Sequence, residues 1–117
     1  MIKVDIQYPD EFEVDASEIE SSMVKVLTEN GEDDVYVSVA VVDGEEMKRL
    51  VRDYYVEDNE EHPVLSFPTR EVDEKFARPD GLEDLGEIIL NNDYSEGHDL
   101  VGWAEHGTLH LVGIHHD

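Results

Sequence analysis

The chain contains no cysteine. It can therefore form no disulfide framework, offers no thiolate nucleophile and gives a metal no sulfur ligand, a composition that suits a reducing cytoplasm. No apolar run approaches the roughly 20 residues a helix needs to cross a bilayer, and the opening residues lack the charged-then-apolar order of a leader. The expectation is a cytoplasmic protein with no membrane partner. Positive charge is also scarce: eight Lys and Arg face 31 Asp and Glu, a net charge of −23 in 117 residues. The acids are spread along the chain (Asp10, Glu11, Glu13; Glu32, Asp33, Asp34; Glu57, Asp58, Glu60, Glu61; Asp80, Glu83, Asp84) rather than gathered in one tail. A single block would read as a disordered tail; a distributed excess reads as a solvated acidic shell of the kind used in salt-rich cytoplasm, with an acidic protein of an ordinary cytoplasm as the alternative. Such a surface repels nucleic acid at long range, so any nucleic-acid contact must use a local basic patch. There are no internal repeats and no low-complexity segment, and the length fits one domain, residues 1–117, with a modest core.

Apolar periodicity supplies the elements. Ile2, Val4 and Ile6 alternate with Lys3, Asp5 and Gln7, a strand ending at Tyr8-Pro9. Asp15 or Ser17 can cap a helix whose Ile19, Met23, Val26 and Leu27 share a face and which stops at Asn30-Gly31. Val35 to Val42 is rich in β-branched residues and reads as a strand, followed by an Asp43-Gly44 turn. Met47, Leu50, Val51 and Tyr54 then fall at helical spacing, and Glu57 to Glu61 is a charged loop. Val64 to Phe67 is a short strand between Pro63 and Pro68. Thr69 to Asp84 is broken by Pro79 and Gly81 into an irregular excursion. Leu85 to Leu90 is a strand, and from about Asp99 the chain forms a last helix with Leu100, Trp103, Ala104 and Leu111 as core. The order β-α-β-α-β-β-α describes a small α/β sandwich with a four-stranded mixed sheet, the direct β-β step favouring one antiparallel pair.

Four of the six histidines lie in the last twelve residues, His106-Gly107-Thr108-Leu109-His110-Leu111-Val112-Gly113-Ile114-His115-His116-Asp117. His106 and His110, four apart, project from one helix face and can grip one ion. His116 comes six residues later, where a continued helix at about 100° per residue would carry it well round the axis. Gly113 can instead take the left-handed conformation that ends a helix, so that the third imidazole approaches from a turn. Three neutral imidazoles leave a fourth position open to water, the catalytic rather than the structural form of a zinc site. One divalent ion, Zn²⁺, bound by His106, His110 and His116 is expected; the other reading is of core or surface histidines with no ligand. The spacing H-x3-H-x2-G-x2-H also occurs in metzincin peptidases, but those carry a glutamate base directly after the first His. Gly107 stands there, which disfavours a peptidase.

His106-Gly107-Thr108-Leu109-His110-Leu111-Val112-Gly113 with a third His resembles the signature of the YbeY proteins, metal-dependent single-strand endoribonucleases that mature ribosomal RNA and act in ribosome quality control. Val64-Leu65-Ser66-Phe67-Pro68 resembles the second half of the family's Thr-Asp-Val-Leu-Ser-Phe-Pro strand, and Leu85-Gly86-Glu87-Ile88 its Leu-Gly-Asp-Ile strand. Leu50-Val51-Arg52-Asp53-Tyr54-Tyr55 stands where the family has a Leu-Asn-x-x-Tyr-Arg helix end. The similarity covers most of the chain from about Val35 onward. Departures are specific: His62-Pro63 for Thr-Asp, Val51 for the helix Asn, Tyr55 for the Arg, His115 for the usual Asp, and a short segment from Asn91 to Glu105 where a further helix is normally found.

The resemblance implies catalysis by water on an ion held by His106, His110 and His116, single-stranded ribosomal RNA as substrate and the ribosome as partner. Arg52 is the nearest replacement for the family's arginine. Lys48, Arg49 and Arg52 put three of the eight cations on one helix, for RNA phosphates or as a solvated face balanced by Glu45, Glu46 and Asp53. Ser66 can line the cleft or simply pack. Glu87 can orient a ligand histidine, and His115 and Asp117 flank the last ligand as candidates for proton transfer. His62 and His98 read as surface residues, and Trp103 as core rather than a platform for bases. The alternatives carried alongside are another metallohydrolase on the same histidines and a non-catalytic, ribosome-associated metal-binding protein. The oligomeric state is not set by the sequence.

Overall fold

The computed structural model describes residues 1–54, 63–68, 81–94 and 99–113. Its elements follow the expected order: β1 (Ile2–Gln7), α1 (Ala16–Glu29), β2 (Val35–Val42), α2 (Gly44–Tyr54), β3 (Val64–Pro68), β4 (Glu83–Asn91) and α3 (Leu100–Leu111). The four strands form one sheet in the order β1-β2-β4-β3. β1–β2 and β2–β4 are parallel; β3–β4, the directly consecutive pair, is antiparallel. The mixed α/β architecture is as the sequence implied.

Strand alternation decides where the helices pack. Val35, Val37, Val39 and Val41 of β2 join Ile19, Met23 and Leu27 of α1 and Ala104 and Leu111 of α3 in the main core. A smaller core on the other face unites Met47 and Val51 of α2 with Leu65 and Ile89. Along β4, Ile88 and Leu90 enter the first core and Ile89 the second. Helices α1 and α3 therefore cover one face of the sheet and α2 the other. Among the described residues no helix is long and apolar enough to cross a membrane.

A β-bulge interrupts the β2–β4 ladder. Tyr36 pairs with Asp84 but Val37 with Gly86, leaving Leu85 as the extra residue. Leu85 and Ile88, an odd and an even position, can then share one core. Gly86 has φ +137°, a conformation open to glycine at little cost, and its N–H donates to Asp84 Oδ1 at 3.0 Å.

Side chains of aspartate start the helices. Asp15, rather than Ser17, caps α1, its Oδ1 accepting from Glu18 N at 3.0 Å. Asp43 and Gly44 are not a free turn, as the sequence suggested, but the cap and first residue of α2: Asp43 Oδ1 accepts from Glu46 N at 2.8 Å. Gly44 N also donates to Asp93 Oδ2 at 2.8 Å, tying α2 to the turn after β4. Asp84, expected at the end of an irregular excursion, belongs to β4, because it and Glu83 extend the ladder along Tyr36 and Val35. Gly81 and Leu82 lead into that strand, while residues 69–80 and the charged loop Glu57–Glu61 lie outside the described residues.

Candidate metal centre

Helix α3 starts at Asp99, whose Oδ1 accepts from Gly102 N at 2.9 Å. Ala104, Gly107, Thr108 and Leu111 make its buried stripe, spaced i, i+3, i+4, i+7. Trp103 and Leu100, also expected in the core, are only half-buried against it. The buried Thr108 hydroxyl is satisfied within the helix, donating to Ala104 O at 2.7 Å. At Gly107 a Cβ would meet Ile88 Cγ2, Ser66 Oγ and Val64 Cγ2, each at 3.1 Å. The helix thus lies close on β3 and β4, and position 107 faces the sheet. A glutamate there, the peptidase base, would be driven into the strands rather than toward an ion.

The face carrying His106 and His110 is more open: His106 is exposed and His110 half-buried. Their Nε2 atoms approach to 2.9 Å, with ring centroids 4.5 Å apart and planes inclined by 57°. Two imidazole nitrogens bound to one tetrahedral ion at 2.0–2.1 Å lie roughly 3.3 Å from each other, so the rings stand close to the spacing a shared ion requires. Two protonated nitrogens cannot face one another at this distance; at least one Nε2 presents its lone pair. The pair also sits in the last two turns of α3, where backbone carbonyls give a helix its partial negative charge and favour a cation. The donor set and spacing therefore fit an imidazole-bound divalent metal.

Past the helix, Gly113 has φ +75° and its N–H donates to His110 O at 3.1 Å, the left-handed helix end expected of that glycine. His116, the third expected ligand, and its neighbours His115 and Asp117 lie outside the described residues, as do His62 and His98. Among the described residues no group of three ligating side chains is assembled.

The other candidate residues separate in space. Ser66 sits under the site on β3, its Oγ donating to Gly107 O at 3.3 Å, so its proton is used to seat α3. Lys48, Arg49 and Arg52 are exposed on α2, across the sheet from the histidines. Arg49 Nη1 pairs with Glu46 Oε1 at 2.5 Å. Glu87 is not beside the histidines: Ile88 faces α3, so Glu87 faces the other way, and it lines a cavity of about 350 Å³ with Ser38, Phe67, Asp84 and Gly86. Two aromatic residues stand beside the histidines: Trp103, which the sequence reading assigns to the core, and Tyr94, which it does not single out. The Trp103 ring meets His106 edge to face, centroids 5.4 Å apart and planes at 81°, and Tyr94 meets Trp103 in the same manner at 5.9 Å and 82°. The readable signal was spacing, since Trp103, His106 and His110 fall at i, i+3 and i+7 on one helical stripe.

Comparison with known proteins identifies the family. The family model described as "Endoribonuclease YbeY" matches residues 5–117. A protein of that name from Thermoanaerobacter sp. (strain X514) is 29% identical over 126 aligned positions, covering 89% of this chain and 79% of its own. Its namesake from Vesicomyosocius okutanii subsp. Calyptogena okutanii (strain HA) is 31% identical over 116, covering 88% and 74%. Another, from Caldanaerobacter subterraneus subsp. tengcongensis, is 29% identical over 125, covering 89% and 78%. With the match running through the bulged strand β4 and the histidine helix α3, this chain belongs to the YbeY family.

Proposed function

We propose that this protein is a metal-dependent endoribonuclease that cuts single-stranded RNA, with ribosomal RNA as substrate and the ribosome as partner in its maturation and quality control. Family membership and the names of the curated relatives support the endoribonuclease reading. The observation that carries the metal dependence is the approach of His106 Nε2 and His110 Nε2 to 2.9 Å. Imidazole donors suit Zn²⁺, and His116 completes the set.

When bound, the ion supplies Lewis acidity, acidifying the attacking water and polarising a phosphoryl oxygen. His106 and His110 hold it through neutral Nε2 atoms. Gly107 supplies no proton acceptor and leaves that role to groups past the helix end, where His115 and Asp117 flank the third ligand. Ser66 keeps α3 seated by its bond to the Gly107 carbonyl. Lys48, Arg49 and Arg52 offer phosphate contacts remote from the cut, which a surface of this acidity needs to hold a polyanion at all.

The test is incubation of the purified protein with single-stranded ribosomal RNA, with and without a chelator. Cleavage that stops with chelator and returns with Zn²⁺ is expected. Cleavage indifferent to chelator would overturn the metal dependence. A metal-replete protein that sediments with ribosomes yet cuts no RNA would instead favour the non-catalytic reading.

A further inference from the structure

A ligand imidazole ordinarily donates its second ring N–H to a carboxylate, a carbonyl or water, which fixes the ring before the metal arrives. The strand carboxylate nearest in sequence to such a role, Glu87, is on the wrong face of the sheet. Among the described residues His106 Nε2 lies 2.9 Å from His110 Nε2, and the His106 ring meets Trp103 edge to face at 5.4 Å. His106 is exposed, so without such a contact solvent would let the ring turn about its two side-chain bonds.

We infer that Trp103 is a positioning residue for the metal site, holding the His106 imidazole by aromatic contact where a hydrogen-bonding partner would usually act. Trp103 can do so because it is itself held. One side packs against the main core, and Tyr94 meets its ring at 5.9 Å. Tyr94 is placed by the turn that leaves β4, its N–H donating to Asn91 O at 3.2 Å. A continuous series of contacts runs from the sheet to the histidine pair: strand end, Tyr94, Trp103, His106, His110. The edge-to-face arrangement sets the negative face of one ring against the positive edge of the next, a preference worth more than area burial alone. It constrains the plane of the imidazole and not merely its location. The inference rests on the metal reading proposed above.

Two substitutions separate positioning from packing. Trp103→Leu keeps apolar bulk and loses the ring; Trp103→Phe keeps a ring edge and face. Zn²⁺ affinity of each protein is measured by competition with a chromophoric chelator, beside its melting temperature without metal. The Leu protein should bind Zn²⁺ roughly two- to tenfold more weakly than wild type, the range an aromatic pair supplies, and the Phe protein should recover most of that loss. Trp103 is the sole tryptophan, which gives a second readout. Its fluorescence should be quenched saturably by Cu²⁺ in the wild type, and the quenching should vanish in His106→Ala. A Leu protein that melts lower yet binds Zn²⁺ as wild type does would show packing alone and overturn the inference. So would equal losses in the Phe and Leu proteins. A wild-type protein that binds no Zn²⁺ would sink the metal reading and this inference together, and is told apart by the first titration.

Discussion

His106 and His110 are separated by one helical turn, and a turn is the one distance in a protein that sequence reports directly. Their convergence was legible for that reason, as was the left-handed Gly113. Glu87 was not. Its strand was readable, but which face of the strand α3 would cover depends on a helix packed from elsewhere in the chain, and alternation alone leaves that choice open. The residue-level expectations follow from this separation. His110→Ala should leave a folded protein that has lost most of its bound metal by elemental analysis; full retention would remove His110 from the ligand set. Arg52 is exposed on α2, across the sheet from α3. Arg52→Ala should therefore lower RNA cleavage while metal content stays at the wild-type level. Unchanged cleavage would leave the α2 cations as a solvated face, which the Arg49–Glu46 pair already illustrates.

Helix α3 holds the site only as firmly as it holds the sheet, and Gly107 is where it does so most closely. Gly107→Ala gains about 1 kcal/mol of helix propensity but places a methyl 3.1 Å from Ile88, Ser66 and Val64 at once. Overpacking of this kind costs about 1–3 kcal/mol. Since two of the three neighbours are β-branched strand side chains with little room to turn, the clash should win. Urea denaturation should show Gly107→Ala less stable than wild type, with weakened metal binding as α3 lifts; a protein more stable than wild type would show that the strands yield. Element by element, the alternation of β1 and the β-branched run of β2 identified themselves, and Asp15 stood among the two candidate caps of α1. What escaped was the role of polar residues: Asp43 as a cap rather than a turn, and Glu83 and Asp84 as part of β4. The extension of β4 depends on a partner distant in the chain, Val35 and Tyr36, whereas Asp43 caps locally through Glu46 N and an Asp-Gly pair serves a turn or a helix start equally well.

Across the whole molecule eight Lys and Arg against 31 Asp and Glu leave a net charge of −23. Between described residues, the Met1 amine pairs with Asp33 at 2.9 Å and Asp34 at 2.7 Å, and Arg49 with Glu46. The bonds from Asp34 and Asp33 raise the pKa of the amine, and the amine in turn lowers that of Asp33, yet these groups are exposed and salt screens them. The wider effect of salt should be stabilising. The Debye length shrinks from about 10 Å at 0.1 M to about 3 Å at 1 M, so added KCl silences self-repulsion over the acidic surface before it weakens contacts at the metal site. Melting temperature should rise from low to molar KCl, and the initial rate of RNA cleavage should hold or increase. A steady fall of both across the series would rule out a salt-adapted surface.

The strand order β1-β2-β4-β3 also sets a sequence of events in time. β3 precedes β4 in the chain yet reaches the sheet only through it, with Val64 to Pro68 hydrogen-bonded along Leu90 to Gly86. During synthesis β3 must wait, its ladder unpaired, while β1, α1 and β2 can already assemble from neighbouring chain. Long-range closure of this kind is the slow part of folding. Helix α3, which already sets His106 and His110 one turn apart, then docks on a surface that exists only after β3 and β4 have met. The histidine face therefore takes its place beside the sheet last, after every strand that α3 covers has been made and paired.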